Sequence, residues 1–170
     1  MNFIVAFIFI LLVLILGLLP FFIIYLLSNL FHLFMFRIFG YRNKIIIENL
    51  KKCFPEKNDT EIKKLLPAIY RNLTDNILEG IKAFTMTRKQ IVKRHKILNP
   101  EILNKYFESE QSIIAVTGHY CNWEWGSLSA SLQTDYNVVG LYKPLSNKLI
   151  DSFVRWSRAR CGTTMASIKE

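Results

Sequence analysis

The chain has 170 residues, the size of one ordinary domain, with 22 Lys+Arg against 13 Asp+Glu and a formal charge of +9. No charged side chain precedes Arg37, which excludes a uniformly polar chain: an apolar leader is followed by a basic segment. Three widely spaced cysteines, Cys53, Cys121 and Cys161, exclude a disulfide framework and read as free thiols in a reducing compartment.

The leader FIVAFIFILLVLILGLLPFFIIYLLSNLFHLFMF runs well past the roughly 20 residues that cross a bilayer. A secretory signal peptide would carry a basic start, a shorter apolar core and a small-residue cleavage site. Met1 and Asn2 bring no positive charge and no such site closes the run. Residues 1–36 are therefore read as a retained transmembrane anchor. Arg37, Arg42, Lys44, Lys51 and Lys52 follow it, with Glu48 the only acid among them. Positive charge stays on the cytoplasmic side, so a single-pass protein with a cytoplasmic C-terminal domain is expected. Pro20 either kinks the helix or divides it into a span and a segment lying in the interface.

Residues 37–110 read as mainly helical. A short helix over 41–52 carries Ile45, Ile46, Ile47 and Leu50 and stops before Pro55. Asn58 then stands three residues before Glu61, the spacing of a capping box. From there Ile62, Leu65, Leu66, Ile69, Leu73, Ile77, Ile81 and Phe84 keep helical spacing, with Pro67 as a bend or restart. Lys82 to Lys96 holds six cations and no acid. Such a run is either a solvated face or a contact for anionic lipid or an acidic protein. Asn99 and Pro100 suit the cap and first residue of a helix near 100–109.

Residues 111–170 read as the first part of an α/β core. SIIAVT (112–117) is apolar and β-branched, as a buried strand should be. WEWGSLSASLQ is a helix, YNVVGLY (136–142) a strand, LIDSFVRWSRAR a helix ending at Cys161-Gly162, and TTMASI a third strand. This order implies βαβ units and a mainly parallel sheet, whose ligand crevice lies beyond the strand C-termini. His119 and Lys143 would each follow a strand end and face that crevice. The sheet has barely begun where the chain closes at Glu170, so an incomplete core is expected.

TGHYCNWEWG (117–126) concentrates the reactive chemistry. His119 and Glu124 form H-x-x-x-x-E across a loop-to-helix junction. A carboxylate accepting from one imidazole nitrogen would leave the other as general base for a hydroxyl attacking an acyl carbon. The structural alternative has Glu124 capping its helix and His119 satisfied in the core. Cys121 could join His119 and Cys161 at a metal or act as a nucleophile, but no paired cysteine spacing supports either, and a packed thiol is the plainer reading. Trp123 and Trp125 face different neighbours and pack, or wall the site from water. Arg155, Arg158 and Arg160, with Lys143 ahead of them, suit phosphate or carboxylate groups, or form a solvated helix end.

The blocks ENLKKCFPEKNDTEIKKL, EGIKAF, TGHYCNWEWG and GLYKPLSNKLIDSFVRWSRARCG occur in one order along nearly the whole chain. In them the chain resembles the bacterial lipid A biosynthesis acyltransferases, the late lauroyl/myristoyl transferases. The resemblance implies transfer of a fatty acyl group from acyl carrier protein to a hydroxyl of a lipid A precursor glycolipid, at the cytoplasmic side of the inner membrane. It implies no metal or cofactor and no nucleic acid. His119 and Glu124 fall on the catalytic H-x4-D/E pattern, and Lys143, Arg158 and Arg160 on cationic substrate-binding positions. Lys143 replaces an arginine and Ser157 a glycine. The rival readings are a related acyltransferase with another lipid acceptor and a non-catalytic, membrane-anchored basic binding module.

Overall fold

The computed structural model describes residues 2–169. Packing divides the chain into two compact units, Met1–Leu18 with Gly80–Glu170, and Leu19–Glu79. The three segments read from sequence divide it instead by composition.

The leader is two helices, not one. Helix α1 covers Asn2–Leu18 and helix α2 Phe21–Leu33, continued by a π-helical turn over Phe34–Ile38. Pro20 lacks an N–H and is extended, at φ −64° and ψ 154°. Its carbonyl accepts from Ile23 N at 3.0 Å and Ile24 N at 3.2 Å and so begins α2. The stretch Phe21–Ile38 is long and apolar enough, by length and composition, to cross a membrane. The apolar stretch of α1, Phe3–Leu18, is shorter.

The Leu19–Glu79 unit is helical. Helix α3 spans Asn43–Cys53, and helix α4 spans Asp59–Ala83 without a break at Pro67. The expected capping box opens α4: Asn58 Oδ1 accepts from Glu61 N at 3.0 Å, and Glu61 Oε2 accepts from Asn58 N at 2.9 Å. Leu50 of α3 and Ile62, Leu66 and Tyr70 of α4 form a core, against which Met35, Phe36, Ile46 and Ile47 pack. The Tyr70 hydroxyl, at the end of a fully buried side chain, donates to the Tyr41 carbonyl at 2.7 Å. Between α2 and α4 the seam is polar. Tyr25 donates to Glu79 at 2.7 Å, Ser28 to Asp75 at 2.5 Å, and Arg71 to Asn29 at 2.6 Å. Positions 25, 28 and 29 on one helix and 71, 75 and 79 on the other each form one stripe.

The second unit carries the α/β portion. Helix α5 covers Arg88–Arg94, a 3-10 turn Pro100–Leu103, helix α6 Asn104–Glu108, helix α7 Trp123–Ala130 and helix α8 Lys148–Ala159. Strands β1, Val139–Tyr142, and β2, Thr164–Ser167, pair in parallel from Val139↔Thr164 to Tyr142↔Ser167, with α8 as their crossover. Asn147 caps α8, its Oδ1 accepting from Leu149 N at 3.0 Å and Ile150 N at 3.3 Å. Phe84, Phe153 and Trp156 stack in sequence, with centroids 4.9 Å and 5.8 Å apart. Helix α1 packs on α8. Its last turn is gripped by Lys82, whose ammonium donates to the Gly17 carbonyl at 2.5 Å, and by the Thr85 hydroxyl on the same oxygen. A cation suits the negative end of a helix. Burial, and then the charge of Arg94, lowers the Lys82 pKa from the ordinary lysine value.

Among the described residues the fold is thus mostly helical with one βαβ unit whose two strands pair in parallel, so the expected α/β core is present in part. Residues 111–120 form no regular element and all are exposed. Ile114 and Val116, expected inside a strand at 112–117, are each 91% exposed. The composition of SIIAVT states a side-chain preference, whereas a strand also needs a neighbour for its backbone N–H and C=O groups. Among the described residues, β1 pairs with β2 alone.

Candidate active site

Helix α7 and the loop before it hold the reactive residues. Cys121 adopts a left-handed backbone at φ +48°, which turns the chain into the helix. Asn122 caps it through Oδ1, 3.4 Å from Trp125 N. Trp125, Leu128 and Ser129 then fall on one face, and all are buried. That face meets the segment around α5. The Arg94 guanidinium lies 5.7 Å from the Trp125 ring centre, and Ser129 Oγ is 2.6 Å from His95 Nδ1. Gln133 completes the join, donating to the His95 carbonyl at 2.9 Å and accepting from Ile97 N at 3.1 Å. The basic run is therefore more than a solvated face: Ile91 is buried, α5 packs on α7, and His95 meets Ser129.

Glu124 stands in the first turn of α7, where the helix dipole favours a carboxylate. Its partner is Arg158 of α8. Nε donates to Oε2 at 3.1 Å and Nη2 to Oε1 at 2.5 Å, and the two side chains are 27% and 30% exposed. This is the bidentate fork that arginine and carboxylate geometry favour. His119 lies outside it. Its ring tilts against Trp123, with centroids 4.8 Å apart, on the exposed loop. Among the described residues no hydrogen bond joins His119 to Glu124. The expected orienting carboxylate is taken by a guanidinium, which offers two parallel donors where an imidazole offers one.

The other expected site residues separate. Lys143 follows β1 and is exposed. Arg160 points back to the end of α4, donating to the Ala83 carbonyl at 2.5 Å and the Met86 carbonyl at 2.8 Å. Because 112–117 is not a strand, His119 and Lys143 do not share a strand-end crevice of the expected kind. A cavity of about 200 Å³ lies elsewhere, lined by residues including Pro100, Phe107, Gln133 and Tyr136. Trp123 and Trp125 do face different neighbours, one exposed beside His119 and one buried. Cys121 is exposed and Cys161 buried, both as free thiols. Among the described residues no three His, Cys, Asp or Glu side chains gather as a metal site.

Two relationships escaped the sequence reading. Glu124 and Arg158 were each singled out, but not as partners. The preference of a carboxylate for a fork on the next helix of a βαβ unit was the available signal. His95 and Ser129 stand 34 positions apart and carry no local signal.

The model of the bacterial lipid A biosynthesis acyltransferases matches residues 1–170, and the chain belongs to that family. It is similar to the lipid A biosynthesis lauroyltransferase of Escherichia coli (strain K12), 26% identical over 129 residues. That match covers 76% of this chain and 42% of the relative. No solved structure matches the chain.

Proposed function

We propose that the protein transfers a fatty acyl group from acyl carrier protein to a hydroxyl of a lipid A precursor, on the cytoplasmic side of the inner membrane. The observation that carries this reading is the family match over residues 1–170; His119 and Glu124 have the H-x4-D/E spacing that the resemblance makes catalytic.

In the proposed reaction His119 takes the proton of the acceptor hydroxyl. The oxygen attacks the thioester carbonyl and forms a tetrahedral oxyanion. Its collapse breaks the C–S bond, and the imidazolium returns the proton to the departing thiolate. Exposure of His119 on its loop suits a base that must reach a lipid hydroxyl. Glu124 acts through Arg158, spending two of the five guanidinium N–H donors and fixing the plane of the rest. Lys143 and Arg158 supply charge for phosphate on donor or acceptor. Lys143 does so without a fork. Arg160, anchored on Ala83 and Met86, adds charge from a fixed position.

The test uses the full-length protein. His119→Ala should abolish acyl transfer while far-UV circular dichroism and the unfolding midpoint stay unchanged. Turnover within a few-fold of wild type would remove the general base. Mass spectrometry of lipid A from a deletion strain tests the acceptor, and unchanged acylation would point to another lipid.

A further inference from the structure

We infer that Trp123, rather than Glu124, is the residue that positions His119 for proton transfer. The inference rests on the proposed reaction and adds a positioning residue to it.

His119 belongs to the exposed stretch 111–120, which forms no regular element. Among the described residues no hydrogen bond or ion pair reaches its ring, and both oxygens of the carboxylate expected to hold it are taken by Arg158. Its one aromatic contact among them is Trp123, with centroids 4.8 Å apart and ring planes at 59°. Rings at that separation attract, and a tilted approach suits them better than a face-to-face one.

Local backbone brings the imidazole there. Cys121 turns the chain in a left-handed conformation at φ +48°, Trp123 N donates to the Cys121 carbonyl at 3.2 Å, and Trp123 is the first residue of α7. A side chain mounted on a helix is placed more firmly than one on an irregular loop. Trp125, about 200° further round the helix, is buried and meets Arg94 instead. Glu124, next to Trp123 in the same turn, is forked to Arg158 and so ties that turn to α8. The acid therefore acts on the base at second hand. The fork fixes the turn, the turn carries the indole, and the indole holds the imidazole.

Two effects follow. An unsupported loop histidine is spread over many rotamers, and only some of them reach an acceptor hydroxyl; the indole narrows that spread. Trp123 is 41% exposed, so the contact leaves the site open to a substrate. Once it has taken the proton, His119 is a cation, and a tryptophan ring within about 6 Å attracts a cation. The contact is then stronger after proton transfer than before it, which is the difference that lowers a barrier.

The experiment uses the full-length protein in detergent micelles. Trp123→Leu should lower kcat about ten-fold and leave KM within about two-fold at an unchanged unfolding midpoint. Trp123→Phe, which keeps a ring, should recover most of the loss. Histidine-labelled protein gives a second readout that needs no turnover. Of its 3 histidines, the signal absent from His119→Ala is that of His119. In wild type it should be displaced by the indole ring current, and Trp123→Leu should return it to the position of an unstacked histidine. A wild-type signal already at that position overturns the inference without any change at Trp123. Wild-type kcat in Trp123→Leu overturns it too, as does a raised KM at unchanged kcat, which would make Trp123 a substrate contact. Turnover lost in His119→Ala and kept in Trp123→Leu sinks this inference alone. Turnover kept in His119→Ala removes the proposed base, and this inference with it.

Discussion

Arg158 holds both carboxylate oxygens of Glu124, at 3.1 Å through Nε and 2.5 Å through Nη2, and so joins the helix after His119 to the crossover helix of the sheet. Glu124 is the acid of the proposed site, and Arg158 holds it. The consequence is that Glu124 and the arginine must be read together. Glu124→Gln and Arg158→Lys should each lower kcat/KM by about 10²-fold, since a lost clamp misplaces reacting groups. The double variant should fall little further than either single one. Steady-state kinetics on all three decide this. Full additivity would mean that the two residues act separately.

Ser129 is buried and lies 2.6 Å from His95 Nδ1. Ser129→Ala removes the partner of a half-buried ring nitrogen. The expected loss is about 1–3 kcal/mol of stability, read by urea unfolding. Gly126→Ala would set a Cβ 3.3 Å from His95 Nε2, so the ring must shift by a few tenths of an ångström to admit it.

Ile62 is fully buried in the core of the helical unit. Ile62→Ala should cost about 2–5 kcal/mol through lost burial and the cavity left behind. Tyr70→Phe should cost about 1 kcal/mol, the net worth of its bond to the Tyr41 carbonyl. Denaturant midpoints at constant m-value report both.

Asp59 pairs with Lys51 at 2.7 Å. The hydrogen bond from Lys51 and then its charge lower the Asp59 pKa from the ordinary value of 3.8. A carboxylate held lower in the folded state contributes stability that is complete above 3.8 and is lost as pH falls through the folded value. The unfolding midpoint of wild type should therefore exceed that of Asp59→Asn at pH 6, and the gap should close below 3.8. Thermal melts at several pH values check the sign. Added salt should shrink the gap, because the pair is on the surface.

Local chemistry made much of the fold legible. Asn58 and Glu61 announced the start of α4, Pro20 the break in the leader, and Gly162 the end of α8. These are interactions between residues a few positions apart, and the side chains that make them are read directly from the order of residues. The capping box of Thr87 and Gln90, which opens α5, was equally local but was hidden within a run read for its charge.

The sequence by itself determined the helical segments, the uneven charge, the family blocks and the place of His119 and Glu124 beside α7. Tertiary structure alone decided that 112–117 pairs with no strand among the described residues, that Glu124 faces Arg158, and that Arg160 turns back onto Ala83 and Met86. It also decided that α2, apolar by composition, has a polar seam bonded to α4. The reason is the same in each case. A strand edge, a fork-to-carboxylate pair or a helix seam is completed by a partner tens of residues away, and only folding brings that partner within hydrogen-bond distance.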